Sequence, residues 1–172
     1  MEKPGVPILP GFIPHPKDTM TFTIYVDADA CPVKAEVFRV AKRYSLAVRV
    51  VANSPLGVPT DADVQLVTVG QGDDVADNWI VDHVVAGDIV ITADIPLAAR
   101  CLERGSRVID FKGCPFTNDS IGSQVAGREL SRHLRELGIE SGGPAPMTKR
   151  DRSQFLNTLD SVIQALRREK RD

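Results

Sequence analysis

The chain has 172 residues, 42% of them hydrophobic and 26% charged, with a formal net charge of -2. This is room for one ordinary domain with its own core, and the balance is typical of soluble globular proteins. No apolar run approaches the roughly 20 residues that span a bilayer, and the three cysteines, Cys31, Cys101 and Cys114, contain no C-x-x-C pair, which disfavours a disulfide framework or a zinc knuckle and fits a reducing cytoplasm.

Residues 1–20 carry Pro4, Pro7, Pro10, Pro14 and Pro16 and no continuous apolar segment. They read as a flexible extension and not as a signal peptide, which leaves residues 21–172 as the folded domain. Residues 22–28 are β-branched or aromatic and largely apolar, as in a central strand buried on both faces. Pro32 then sits where a first helical turn tolerates it, and Val33, Val37, Val40 and Ala41 recur at helical spacing up to Tyr44. A second strand is expected over 47–52, closed by the turn signal Asn53, Ser54 and Pro55. A third covers 63–69 and ends at Gly70, Gln71 and Gly72.

The pattern over 73–84 predicts a helix, 87–93 a fourth strand, 96–103 a short helix ended by Gly105, and 106–111 a fifth strand. Two helices follow, over about 119–137 and 150–168, separated by the breaker-rich loop Ser141 to Pro146. Thr148 and Asp151 have the spacing of a reciprocal capping pair. Alternating strands and helices imply an α/β domain. It would hold a mainly parallel sheet of about five strands, helices on both faces and two C-terminal helices as cover.

Charge is unevenly placed along this pattern. No Lys or Arg occurs between Arg49 and Arg100, while eight aspartates, from Asp61 to Asp94, fall there; from Arg100 onward 14 Lys and Arg face 10 Asp and Glu. An acidic middle beside a basic end would suit a cation site next to a phosphate-attracting surface, although chance clustering on solvated faces gives the same counts.

Two strands run into aspartate at the carboxyl end, where parallel α/β sheets bind ligands. The first ends in Asp27 with Asp29 two residues on; the fourth is followed by Asp94. Both Asp27 and Asp29 would lie by the positive end of the helix opening at Cys31 and Pro32. Asp29 has the alternative role of capping that helix, and Asp94 that of capping the next. Asp27 is harder to dismiss, because a carboxylate after five mostly apolar residues is costly to bury without a partner. A third contributor should come from Asp73, Asp74 or Asp77. Asp77 lies nearest the apolar stripe of its helix, with Asp73 and Asp74 favouring the helix start. Carboxylates from separate segments suit Mg²⁺ or Mn²⁺, and such ions serve phosphodiester cleavage.

Several runs in order carry a resemblance: Asp27 to Lys34 (DADACPVK), Gly72 to Ile80 (GDDVADNWI), Thr92 to Ala98 (TADIPLA), Gly142 to Pro146 (GGPAP), Asp151 to Phe155 (DRSQF) and Leu159 with Asp160. Over about Thr21 to Leu166 the chain resembles the YaiI/YqxD family of bacterial proteins without established function. That family is grouped with PIN-like domains, many of which are metal-dependent nucleases. The resemblance implies a single PIN-like three-layer domain, an acidic site of Asp27, Asp77 and Asp94 with Asp29 as a further candidate, and an RNA or DNA substrate cleaved with Mg or Mn.

Two other readings stand beside the nuclease. The acidic cluster could survive in a non-catalytic RNA-binding or adaptor module. Asp27 and Asp29 also imitate the D-x-D of Asp-nucleophile phosphatases, but no Lys falls between Lys42 and Lys112 to serve that mechanism. Nucleic-acid contacts are expected from Lys34, Arg128, Arg150 and Arg152, each of which could equally be a solvated surface charge. Aromatics make up 5% of the chain, too few for an extended base-stacking platform. Cys31 is expected to pack rather than react, since Asp27 and Asp29 oppose its thiolate.

Overall fold

The computed structural model describes residues 21–72, 74–139 and 146–171. The Pro-rich stretch 1–20, Asp73 and the loop residues 140–145 lie outside the described residues. The elements follow in the order β1 (Thr23–Asp27), α1 (Lys34–Tyr44), β2 (Ala47–Ala52), β3 (Val64–Thr68), α2 (Val75–His83), β4 (Ile89–Ile91), α3 (Ile95–Glu103), β5 (Arg107–Ile109), β6 (Pro115–Phe116), α4 (Asn118–Glu136) and α5 (Lys149–Arg171).

The sheet has the order β3-β2-β1-β4-β5-β6, parallel throughout except for β6. Winding runs from β1 outward to β3, then crosses back so that β4 pairs with the other side of β1. The strand order therefore reverses between β1 and β4, and a crevice must open above their carboxyl ends.

Alternation along β1 sorts the core into two layers. Ile24 and Val26 face the layer closed by Val37 and Val40 of α1 and by Phe155, Leu159 and Ile163 of α5. Tyr25 faces the layer closed by Ile80 of α2 and Leu97 and Cys101 of α3. α4 lies against α3 with no residue of its own fully buried. Helices on both faces of a mainly parallel sheet make this a single PIN-like three-layer α/β domain.

The structure departs from the sequence pattern in places. β6 is two residues long, too short for any alternation to show. α1 opens at Lys34, because Ala30 takes a left-handed φ of 63° and the chain turns through Pro32 before it can coil. β4 is shorter than its apolar run because Gly87 and Asp88 form the entering turn. There the buried Asp88 carboxylate accepts the N–H of Thr23 at 2.9 Å and of Val85 at 3.0 Å. α5 starts on the expected reciprocal pair: the Thr148 N–H donates to Asp151 Oδ2 and the Asp151 N–H to Thr148 Oγ1, both at 3.0 Å.

Gly113, in the β5–β6 turn, touches α5 with backbone alone. Its φ is +84°, and a Cβ there would stand 2.8 Å from the Gln154 carbonyl and the Phe155 Cα. Left-handed strain and overpacking act together at this position. Gly113→Ala should cost about 2 kcal/mol and lower Tm by roughly 4–8 °C. Gly122 in α4 has nothing within 4 Å of its would-be Cβ, so Gly122→Ala should raise Tm slightly. Thermal denaturation of both variants checks the contrast.

Candidate functional site

The crevice over β1 and β4 is open, about 510 Å³ in volume, and lined by five aspartates: Asp27, Asp29, Asp74, Asp77 and Asp94. Asn53, Gly72 and Phe111 complete much of its wall, and no Lys or Arg lines it among the described residues.

Asp27 is the last residue of β1, and its Oδ2 accepts the Thr92 hydroxyl at 2.8 Å. The same hydroxyl oxygen accepts the Asp94 N–H at 3.0 Å. Thr92 is fully buried, and its own N–H donates to the Ile109 carbonyl of β5 at 3.2 Å. Asp94 caps α3: its Oδ1 accepts the Leu97 N–H at 3.0 Å, with Pro96 in the first turn. Capping leaves Asp94 Oδ2 uncommitted, and the Thr92 bond leaves Asp27 Oδ1 uncommitted, so each carboxylate keeps an oxygen for a ligand.

Asp77 stands half-buried in the first turn of α2, as its position on the apolar stripe predicts. Asp74 occupies the N-cap position with a left-handed φ of 68° and makes no side-chain cap bond. The capping alternative for Asp29 fails. α1 starts five residues later at Lys34, with Val33 at its N-cap offering no side-chain bond, and Asp29 is exposed in the turn above β1. Asn53 Nδ2 donates to the Gly72 carbonyl at 3.3 Å and Gln71 Nε2 to the Asn53 carbonyl at 3.0 Å, tying the two loops that frame this side.

Two effects oppose each other here. The positive ends of α2 and α3 favour ionised carboxylates. Burial, then repulsion from Asp94, Asp27 and Asp74, pushes the Asp77 carboxyl up from 3.8 to about 6. Burial also raises Asp27 above the ordinary carboxylate range; the Thr92 hydroxyl lowers it, and Asp94 and Asp29 add to the rise. Repulsion and burial therefore outweigh the helix ends. A cation in the crevice would relieve both. Among the described residues, however, no set of three His, Cys, Asp or Glu side chains stands close enough to enclose one ion. The oxygen-only donors suit Mg²⁺ held by one or two carboxylates with water completing the shell, the usual manner of that ion.

The basic candidates sit elsewhere. Lys34 Nζ donates to the carbonyls of Cys31 at 2.8 Å and Ala28 at 3.5 Å, bracing the β1–α1 loop. Arg152 Nη1 reaches the Pro32 carbonyl at 2.8 Å and Glu36 at 3.1 Å, binding α5 to that same loop. Arg128 is exposed on α4 and Arg150 in the first turn of α5. Cys31 is buried, and burial pushes its thiol up to about 11. Sequence reasoning missed Thr92, Asn53 and Phe111 as parts of the site. A hydroxyl two residues before a strand-end aspartate was the available signal for Thr92; Asn53 and Phe111 read as turn and strand end.

A family model described as "Uncharacterized BCR, YaiI/YqxD family" matches residues 25–165. A UPF0178 protein of Rhodospirillum rubrum is 52% identical over 146 residues, 84% of this chain and 97% of its own length. Similar proteins in Azorhizobium caulinodans, at 51% over 85% and 92%, and in a Bradyrhizobium species, at 52% over 89% and 93%, carry the same description. No solved structure matches the chain.

The raised Asp77 carboxyl predicts a pH signature. Its protonated form is the one favoured by folding, so that stability is complete below about pH 4 and is lost as pH rises through about 6. Asp77→Asn should melt like the wild type at pH 4 and at a higher temperature than it at pH 7.5, by a margin that solvent screening of this half-exposed group keeps small. Melting curves across pH 4–8 check it.

Proposed function

This chain belongs to the YaiI/YqxD family, and from that premise we propose that it is a divalent-metal-dependent nuclease, hydrolysing phosphodiester bonds in the acidic crevice. One observation carries the reading: five aspartates from three segments line one open crevice at the point where the strand order reverses. Repulsive charge costs stability, and its concentration where ligands bind favours a role in chemistry.

In this reading Asp27 and Asp94 provide the ligand oxygens, through the carboxylate atoms not used by Thr92 and Leu97. Asp77 faces both and orients the attacking water, while Asp29 and Asp74 stand at the mouth. Thr92 acts through the other two, fixing the rotamer of one carboxylate and the backbone of the other. When bound, Mg²⁺ or Mn²⁺ supplies Lewis-acid stabilisation of the phosphoryl oxygens and a lowered pKa for its water.

A non-catalytic, PIN-like RNA-binding or adaptor module is the second reading. It is favoured by the lack of a closed three-ligand set among the described residues and by the structural bonds that Asp27 and Asp94 already make.

Purified protein incubated with Mn²⁺ or Mg²⁺ and labelled single-stranded RNA and DNA should cut one of them, and EDTA should stop it. Asp27→Asn and Asp94→Asn should abolish cleavage; asparagine still caps α3, so the second variant keeps its fold. Thr92→Val should lose about 10–100-fold, the usual effect of removing a group that orients ligands. Equal residual activity in wild type and variants would identify a contaminant and leave the adaptor reading.

A further inference from the structure

Phe111 is the aromatic side chain that lines the acidic crevice among the described residues. It follows β5 by two positions, and it is partly buried against the core layer of α1 and α5. The turn that carries it is held at several points. Asp110 Oδ1 accepts the N–H groups of Lys112 at 2.9 Å and Cys114 at 2.8 Å. The Gly113 carbonyl accepts the Thr158 hydroxyl at 2.8 Å, and Gly113 is wedged against the α5 backbone. The ring is therefore presented to the crevice by a fixed support, which lowers the ordering cost of anything that packs on it.

Bare carboxylates repel an anion, so the match needs the cation of the nuclease reading: with it on the carboxylates and Phe111 on the wall, the crevice would suit a ligand that is anionic at one end and flat at the other. A nucleotide unit has this form. Lys112 follows Phe111 in the chain, and it acts with Arg150 on the Asp151 carboxyl in the first turn of α5. That carboxyl is held below the ordinary range first by the Thr148 N–H, with Lys112 and Arg150 contributing. An aromatic face with cations beside it is the combination that holds single-stranded nucleic acid, the ring stacking a base and the cations following the backbone.

We propose that Phe111 stacks the base of the nucleotide seated in the crevice, so that the site takes unpaired strands and refuses duplex. This rests on the nuclease reading for the nature of the ligand, though not for its hydrolysis. In a duplex the bases are stacked on one another and unavailable to a wall-mounted ring without unpairing. A single ring suffices for one base.

The test uses the full wild-type chain with Mg²⁺ present, and an oligonucleotide with cleavage-resistant phosphorothioate linkages carrying 2-aminopurine, whose emission falls on stacking. Binding of the single strand should quench it, and the matching duplex should bind much more weakly. Phe111→Leu keeps apolar contact with the core but removes the π-face. It should abolish the quenching and raise the single-strand Kd about 5- to 100-fold, while Phe111→Tyr restores both. Unchanged quenching and affinity in Phe111→Leu, or a duplex bound as tightly as the single strand, overturns the proposal even if the wild type cleaves. Ring-dependent quenching in a protein whose wild type never cleaves keeps the proposal and overturns the nuclease.

Discussion

The crevice depends on one hydroxyl. Thr92 Oγ1 donates to the Asp27 carboxylate and accepts the Asp94 N–H, from a position with no solvent exposure. A buried hydroxyl without partners would be costly; here both of its roles are used, and each points at a carboxylate-bearing residue. The bond to Asp27 also works against the burial and repulsion that raise that carboxyl. Because the Thr92 amide is bound to β5, the spacing of three strands is transmitted to two acidic side chains.

Around this bond the fold sets attraction against repulsion. α2 and α3 both begin at the crevice, and their positive ends favour anions there. The aspartates are nevertheless crowded enough that Asp77 remains partly protonated near pH 6. The β1–α1 loop is braced from outside the crevice by Lys34 and Arg152, so cations stabilise the frame without neutralising what it encloses. The result is a firm scaffold around an electrostatically unsatisfied space.

Much of this was legible in the chain and some was not, for identifiable reasons. Buried parallel strands announce themselves as apolar runs, and both strand-end aspartates break such runs abruptly, so Asp27 and Asp94 could be read directly. Asp77 could be placed by helical spacing. Asp29 was ambiguous because capping depends on the φ of Ala30 and the path through Pro32, neither of which has a periodic signature. The bonds of Lys34 and Arg152 were hidden because they join carbonyls of a loop, and carbonyls look alike in every residue. Thr92 and Phe111 matter through register with β1 and β5, which a single strand's pattern does not contain.

The reversal of strand order has a consequence for how the chain acquires its crevice. Asp27 and Thr92 are 65 residues apart in sequence, joined only when the return crossover sets β4 against β1. Closing so long a loop costs chain entropy, and non-local pairings of this kind slow folding. A nascent chain ending before β4 holds the first aspartates with nothing to position them. Assembly of the crevice is therefore a report that both halves of the sheet have docked, and a half-folded chain has no crevice at all.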